Sequence, residues 1–143
     1  KAVTALKLAA RVHHDHGVPA VAVFWIDAED HDWNEVAGSQ VLDAEYQART
    51  IRLSDPPGAG LLPVARLSLD GSVTTAIDEL AALLPPTEFT GSLLTRLRSA
   101  YRPGIGMSEA FGRWLEFTLG EFGLVRGAVV PTLQRVFRMP RWS

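Results

Sequence analysis

At 143 residues, with 47% hydrophobic and 21% charged side chains, the chain has the size and composition of one globular domain and lies outside the disordered regime. The lack of cysteine excludes a disulfide framework, a thiolate zinc site and a cysteine nucleophile, and a formal charge of −2 argues against a nucleic-acid partner. The apolar runs are too short to cross a bilayer and Lys1 does not open a signal peptide, so a cytoplasmic protein with no membrane partner is expected.

In residues 3–12, Val3, Leu6, Ala9 and Ala10 recur at helical spacing, with Leu8 and Val12 beside them. That helix should stop near His16-Gly17, where glycine suits the left-handed closing position and Pro19 blocks continuation. His13, His14 and His16 then crowd the negative end of the helix dipole, which explains them without a metal. Residues 18–26 are almost continuously apolar, the pattern of a strand covered on both faces, and Phe24 and Trp25 are expected in the core. A helix, a glycine turn and a buried strand make half of a βαβ unit, whose first strand is expected before Lys1, as in a fragment of something longer.

Residues 39–42 and 47–53 read as two short strands around Asp43-Ala44-Glu45, an antiparallel excursion off a parallel sheet. Pro56-Pro57-Gly58-Ala59-Gly60 is a loop, and residues 63–69 read as a third short strand. Ile77, Leu80, Ala81, Leu83 and Leu84 mark a helix halted by Pro85-Pro86, and Leu93, Leu94, Leu97 and Ala100 mark another before Pro103-Gly104. Ser108 is placed to cap a helix striped with Phe111, Trp114, Leu115, Thr118, Leu119 and Phe122, which Gly123 ends; residues 124–130 follow as a strand despite Arg126 and Gly127. The expected product is one partial α/β domain over residues 1–143, three-layered, with a short-strand excursion at 39–69 and a helical insertion at 70–105.

The chemically suggestive stretch is Glu29, Asp30, His31, Asp32 and Glu35, directly after the buried strand. Ligands of open parallel sheets bind beyond the carboxyl ends of strands. Four carboxylates and an imidazole so close together need a compensating partner: a divalent metal, a substrate ammonium, or Lys and Arg side chains from elsewhere. His31 could serve as an acid or anchor a phosphate. The competing reading is that Asp30 or Asp32 merely caps a short helix containing Trp33 and Glu35. There is no H-E-x-x-H motif and no glycine-rich phosphate loop. Arg102, in the loop Tyr101-Arg102-Pro103-Gly104, could clamp an anion and is the candidate cofactor-binding residue.

With these residues in view, V-P-A-V-A-V-F-W-I-D-A-E-D-H-D-W-N-E-V resembles the P-V-F-W-x-x-x-E-D-H-D-(F/W)-x-E-(V/I) signature of the cysteine-adding enzyme family of bacillithiol biosynthesis. Residues 1–8, Pro63-Val64-Ala65-Arg66, 83–89, 101–104 and 108–125 are similar to further family segments in the same order. The resemblance implies a Rossmann-like core of nucleotidyltransferase type and a coiled coil that mediates dimerisation, so a homodimer is expected. It implies a ligase joining cysteine to the amino group of glucosaminyl malate, using a nucleotide such as ATP or ADP or another activation, with a small-molecule thiol and an amino sugar conjugate as partners and the acidic cluster lining the cleft. The family's Gln-Gln-x-Gly-Leu-Phe-x-Gly-Pro segment is expected before Lys1, and the run from Arg126 to Pro131 and the tail from Arg138 to Ser143 depart from its pattern. Two other functions fit the residues: a non-catalytic remnant or binding module that keeps the fold, and a metal-dependent hydrolase using Asp30, His31 and Asp32.

Overall fold

The computed structural model describes residues 1–26 and 29–127. They divide into two compact units, one drawn from Lys1–Asp27 and Leu115–Ser143, the other from Ala28–Trp114.

In the first unit, helix α1 (Ala2–His16) turns Ala2, Ala5, Leu6, Ala9 and Val12 partly inward, while Val3 and Leu8 stay exposed. It closes at Gly17, whose φ of 66° and N–H bond to the His13 carbonyl (2.9 Å) form the left-handed stop expected from the sequence. Strand β1 (Ala22–Trp25) follows and pairs in parallel with a strand at Leu124–Gly127, in the register Ala22 to Leu124. The pairing is shorter than the apolar run of residues 18–26. Ala22 is buried and Val23 and Phe24 partly so, but Trp25 is 54% exposed, which corrects its expected place in the core. Apolar continuity reports what a strand can bury; actual burial depends on what covers each face, and among the described residues β1 has one strand neighbour. Gly123 (φ 86°) ends a 3-10 turn and starts the second strand of the pair. Residues 128–130, expected to extend that strand, lie outside the described residues.

The second unit opens with the single-turn helix α2 (Trp33–Val36) and a hairpin of β2 (Gly38–Leu42) and β3 (Ala48–Arg52), antiparallel with Gly38 opposite Arg52. These are the two strands of the expected excursion. Helices α3 (Ser72–Leu83) and α4 (Thr90–Ala100) stop before Pro85 and Pro103 as their prolines dictate. Helix α5 begins at Met107 and runs to Leu119, so Ser108 lies in its first turn and is not its cap. The expected third strand at residues 63–69 is instead a 3-10 turn, Val64–Arg66, followed by an isolated bridge between Ser68 and Gly106. Val64 and Leu67 are both buried, a spacing of three that a turn brings to one side and a strand would split. The core gathers Trp33, Ala37, Val64, Leu67, Leu69, Val73, Ile77, Leu94, Met107 and Ala110. No helix among the described residues is long and apolar enough to cross a membrane.

The hairpin turn is organised by a buried carboxylate. Asp43 accepts from the Glu45 and Gln47 amides at 3.0 and 2.8 Å and from Arg49 Nε at 2.7 Å, and it is 6% exposed. These bonds hold the turn with Tyr46 in the left-handed region (φ 59°). The Arg49 hydrogen bond, with the Gln47 amide, holds the Asp43 carboxyl below its ordinary range. A pKa lowered by folding contributes stability that is complete above the unfolded value and is lost as pH falls through the folded one. Asp43→Ala should therefore lower the melting temperature by several degrees at neutral pH. It should also flatten the acid-side loss of stability below about pH 4 relative to the unmodified chain, as followed by circular dichroism.

Candidate functional site

The acidic stretch begins the second unit, and its backbone is held before its side chains are considered. The Asp30 carbonyl accepts from Val64 N–H (2.8 Å), which ties the turn to the core segment at 64–69. Asp30 Oδ1 accepts from the Asp32 amide at 3.1 Å, and Asp32 Oδ1 accepts from the Glu35 amide at 3.1 Å, so Asp32 is the N-cap of α2. The capping reading of these two residues is thus realised. Each cap uses one carboxylate oxygen, and Glu29, Asp30, His31, Asp32 and Glu35 are all exposed. Two carboxylates that would repel each other are each turned onto a backbone N–H, which reduces the need for an external cation.

Directly after Asp32 sits the opposite kind of residue. Trp33 is 3% exposed, and its indole Nε1 donates to Asp55 Oδ1 at 2.9 Å. Arg52 Nη2 donates to the same Asp55 oxygen (3.1 Å) and to Asn34 Oδ1 (2.7 Å). Farther along the chain, Asp70 accepts from the Ser72 amide (2.9 Å) and from the Ser54 hydroxyl (3.0 Å), while Ser72 Oγ accepts from the Ser54 amide. The Ser72 side chain and amide, then the Ser54 hydroxyl, hold the Asp70 carboxyl below its ordinary value. Arg52, Asp55 and Asp70 were not singled out by sequence reasoning. The one available signal was that a tryptophan in a polar run must bury its ring and still find an acceptor for its N–H.

The remaining candidates are dispersed. Among the described residues no group of three or more His, Asp or Glu side chains is arranged to hold a metal, so Asp30, His31 and Asp32 do not converge as a hydrolase centre would require, nor do His13, His14 and His16. His14 instead meets Asp15 at 2.8 Å, and His13 Nδ1 lies 3.1 Å from the Val18 carbonyl oxygen. Arg102 is exposed on the turn before α5, and among the described residues no hydrogen bond or ion pair joins it to the acidic stretch. A separate apolar cavity of about 370 Å³ opens within the second unit, lined by Val41, Ile51, Leu80, Leu97, Tyr101 and Phe111 among others. Burial pushes the Tyr101 phenol up to about 12.

Residues 1–138 match the family described as Bacillithiol biosynthesis BshC, N-terminal Rossmann-like domain. The chain belongs to that family. Its α/β architecture, with parallel β1 and its partner strand at Leu124–Gly127 and the antiparallel excursion of β2 and β3, is the Rossmann-like domain of BshC proteins. A relative named "Putative cysteine ligase BshC" from Salinibacter ruber is 35% identical over 127 residues, covering 87% of this chain and 23% of the relative. The relative of the same name from Symbiobacterium thermophilum is 34% identical over 148 residues, covering 95% and 26%. The one from Heliobacterium modesticaldum is 27% identical over 141 residues, covering 99% and 25%. The chain therefore spans about a quarter of the length of the curated relatives it matches.

The cap gives a clean test of the local geometry. Asp32→Ala should destabilise the fold by about 0.5–1 kcal/mol, the lower half of the usual capping range because α2 has a single turn. Asp32→Asn, which keeps an acceptor oxygen, should stay close to the unmodified chain in urea denaturation.

Proposed function

We propose that the protein carrying this chain joins cysteine to the amino group of glucosaminyl malate, forming an amide, and that residues 29–35 line the site. The observation that carries the reading is the family match over residues 1–138, with relatives named as cysteine ligases. The exposed residues Glu29, Asp30, Asp32 and Glu35 supply a negative surface suited to an ammonium group. An amine must lose a proton before it attacks a carboxyl carbon, and an exposed carboxylate or the His31 imidazole is a chemically competent acceptor. Arg102 is the residue assigned to a phosphate, since its guanidinium presents paired donors on an exposed turn. A nucleotide such as ATP or ADP would, when bound, supply the activation that a carboxylate otherwise lacks. The reading includes a cytoplasmic setting, small-molecule partners and a homodimer.

The intact protein, incubated with cysteine, glucosaminyl malate and ATP, should yield the cysteinyl product by mass spectrometry. The 143-residue chain by itself should not, because it spans only about a quarter of its curated relatives and a ligation site must hold amine, carboxyl and activating group in register. In the intact protein Asp32→Asn should lower kcat/KM by about tenfold with the melting temperature unchanged, separating the charge of Asp32 from its cap. Absence of product from the intact protein, with nucleotide or amino sugar binding retained, would favour a binding module.

A further inference from the structure

The acidic turn is exposed, yet the helix that continues it is anchored from inside by Trp33. Helix α2 has a single turn, so holding two of its residues orients its short backbone. Trp33 is fixed by burial of its ring and by its bond to Asp55; Asn34, one position on, is fixed by Arg52, which also bonds Asp55. One carboxylate oxygen, Asp55 Oδ1, is thus the shared acceptor of a circuit through Trp33, Arg52 and Asn34. As a stability device the circuit is weak, because the Arg52 and Asp55 side chains are 43% and 63% exposed and such ion pairs contribute little. Its effect lies in geometry: with Trp33 inward and Asn34 held against Arg52, the backbone that carries Asp32 and Glu35 is held in one orientation.

We propose that Asp55 is a positioning residue for the acidic turn, setting through Trp33 and Arg52 the direction in which Asp30, Asp32 and Glu35 present their carboxylates. This rests on the reading that the turn is the substrate site. Asp55 touches neither the turn's carboxylates nor, in this assignment, the substrate, and it acts only through its two donors.

The test uses the intact protein with Asp55→Ala, which removes the acceptor, and Asp55→Asn, which keeps an acceptor oxygen without charge. Trp33→Phe, which keeps a buried ring and loses the N–H, assigns the Trp33 indole resonance and serves as a second variant should Asp55→Ala fold poorly. Asp55→Ala should speed exchange of the Trp33 indole proton by about tenfold and move the Asp32 and Glu35 amide signals. It should also raise KM for the amino sugar substrate by about tenfold, with a fall in melting temperature of a few degrees from the unpaired Trp33 N–H. Asp55→Asn should rescue all of these. Unmoved indole and amide signals in Asp55→Ala would overturn the proposal, as would moved signals with KM and kcat both unchanged. If the unmodified protein forms no product, the ligase reading fails on its own account, and the indole and amide signals still decide whether Asp55 orients the turn.

Discussion

Trp33 must hide its ring and still bond its N–H, and few places in a small α/β unit satisfy both demands. Burying an aromatic side chain of this size is among the largest single contributions available to such a core; truncating one typically costs about 3–5 kcal/mol. The consequences spread outward. Trp33 packs in the cluster with Ala37, Val64, Leu67, Leu69 and Val73, so the polar turn before it cannot drift from the core. The Asp30 carbonyl bonds Val64 N–H, the Ala37 carbonyl bonds Leu53 N–H, and these two links join the turn to the segment at 64–69 and to the end of the hairpin. A charged, exposed stretch is thereby anchored by an apolar residue in its midst.

The same arrangement resolves the apparent conflict in the charge pattern. Four carboxylates between Glu29 and Glu35 look in sequence as though they demand a cation. Asp30 and Asp32 instead spend one oxygen each on a backbone amide, and Arg52 approaches through Asn34 and Asp55 without touching the cluster itself. Under the proposed function, capping and substrate binding are compatible roles for these carboxylates. A cap fixes a carboxylate in place, and a fixed carboxylate is a better electrostatic partner for a substrate than a mobile one.

Much of the fold was legible because its signals are local. Gly17 closing α1, Pro85 halting α3, and the two strands flanking the Asp43 turn all follow from backbone restrictions carried by a few adjacent residues. At 63–69 a short apolar run does not distinguish a strand from a turn, and the segment's backbone pairing is with Ile105 and Met107, far along the chain. Trp25 was misplaced for a related reason: its pattern states hydrophobicity, while its exposure depends on neighbours. At the candidate site, the cap by Asp32 was readable from its position before Trp33. The partnership of Trp33 with Asp55 was not, because the tryptophan announces a need for an acceptor and only the fold says which residue meets it.

The first unit is discontinuous, since Ala22 pairs with Leu124 while the second unit occupies the stretch between them. Joining β1 to its parallel partner therefore closes a very long loop, and the entropy of that closure weighs against the pairing until the intervening chain has become compact. On a ribosome the earlier strand emerges long before its mate. Loop-closure entropy by itself therefore favours condensation of the intervening stretch before the parallel pair forms.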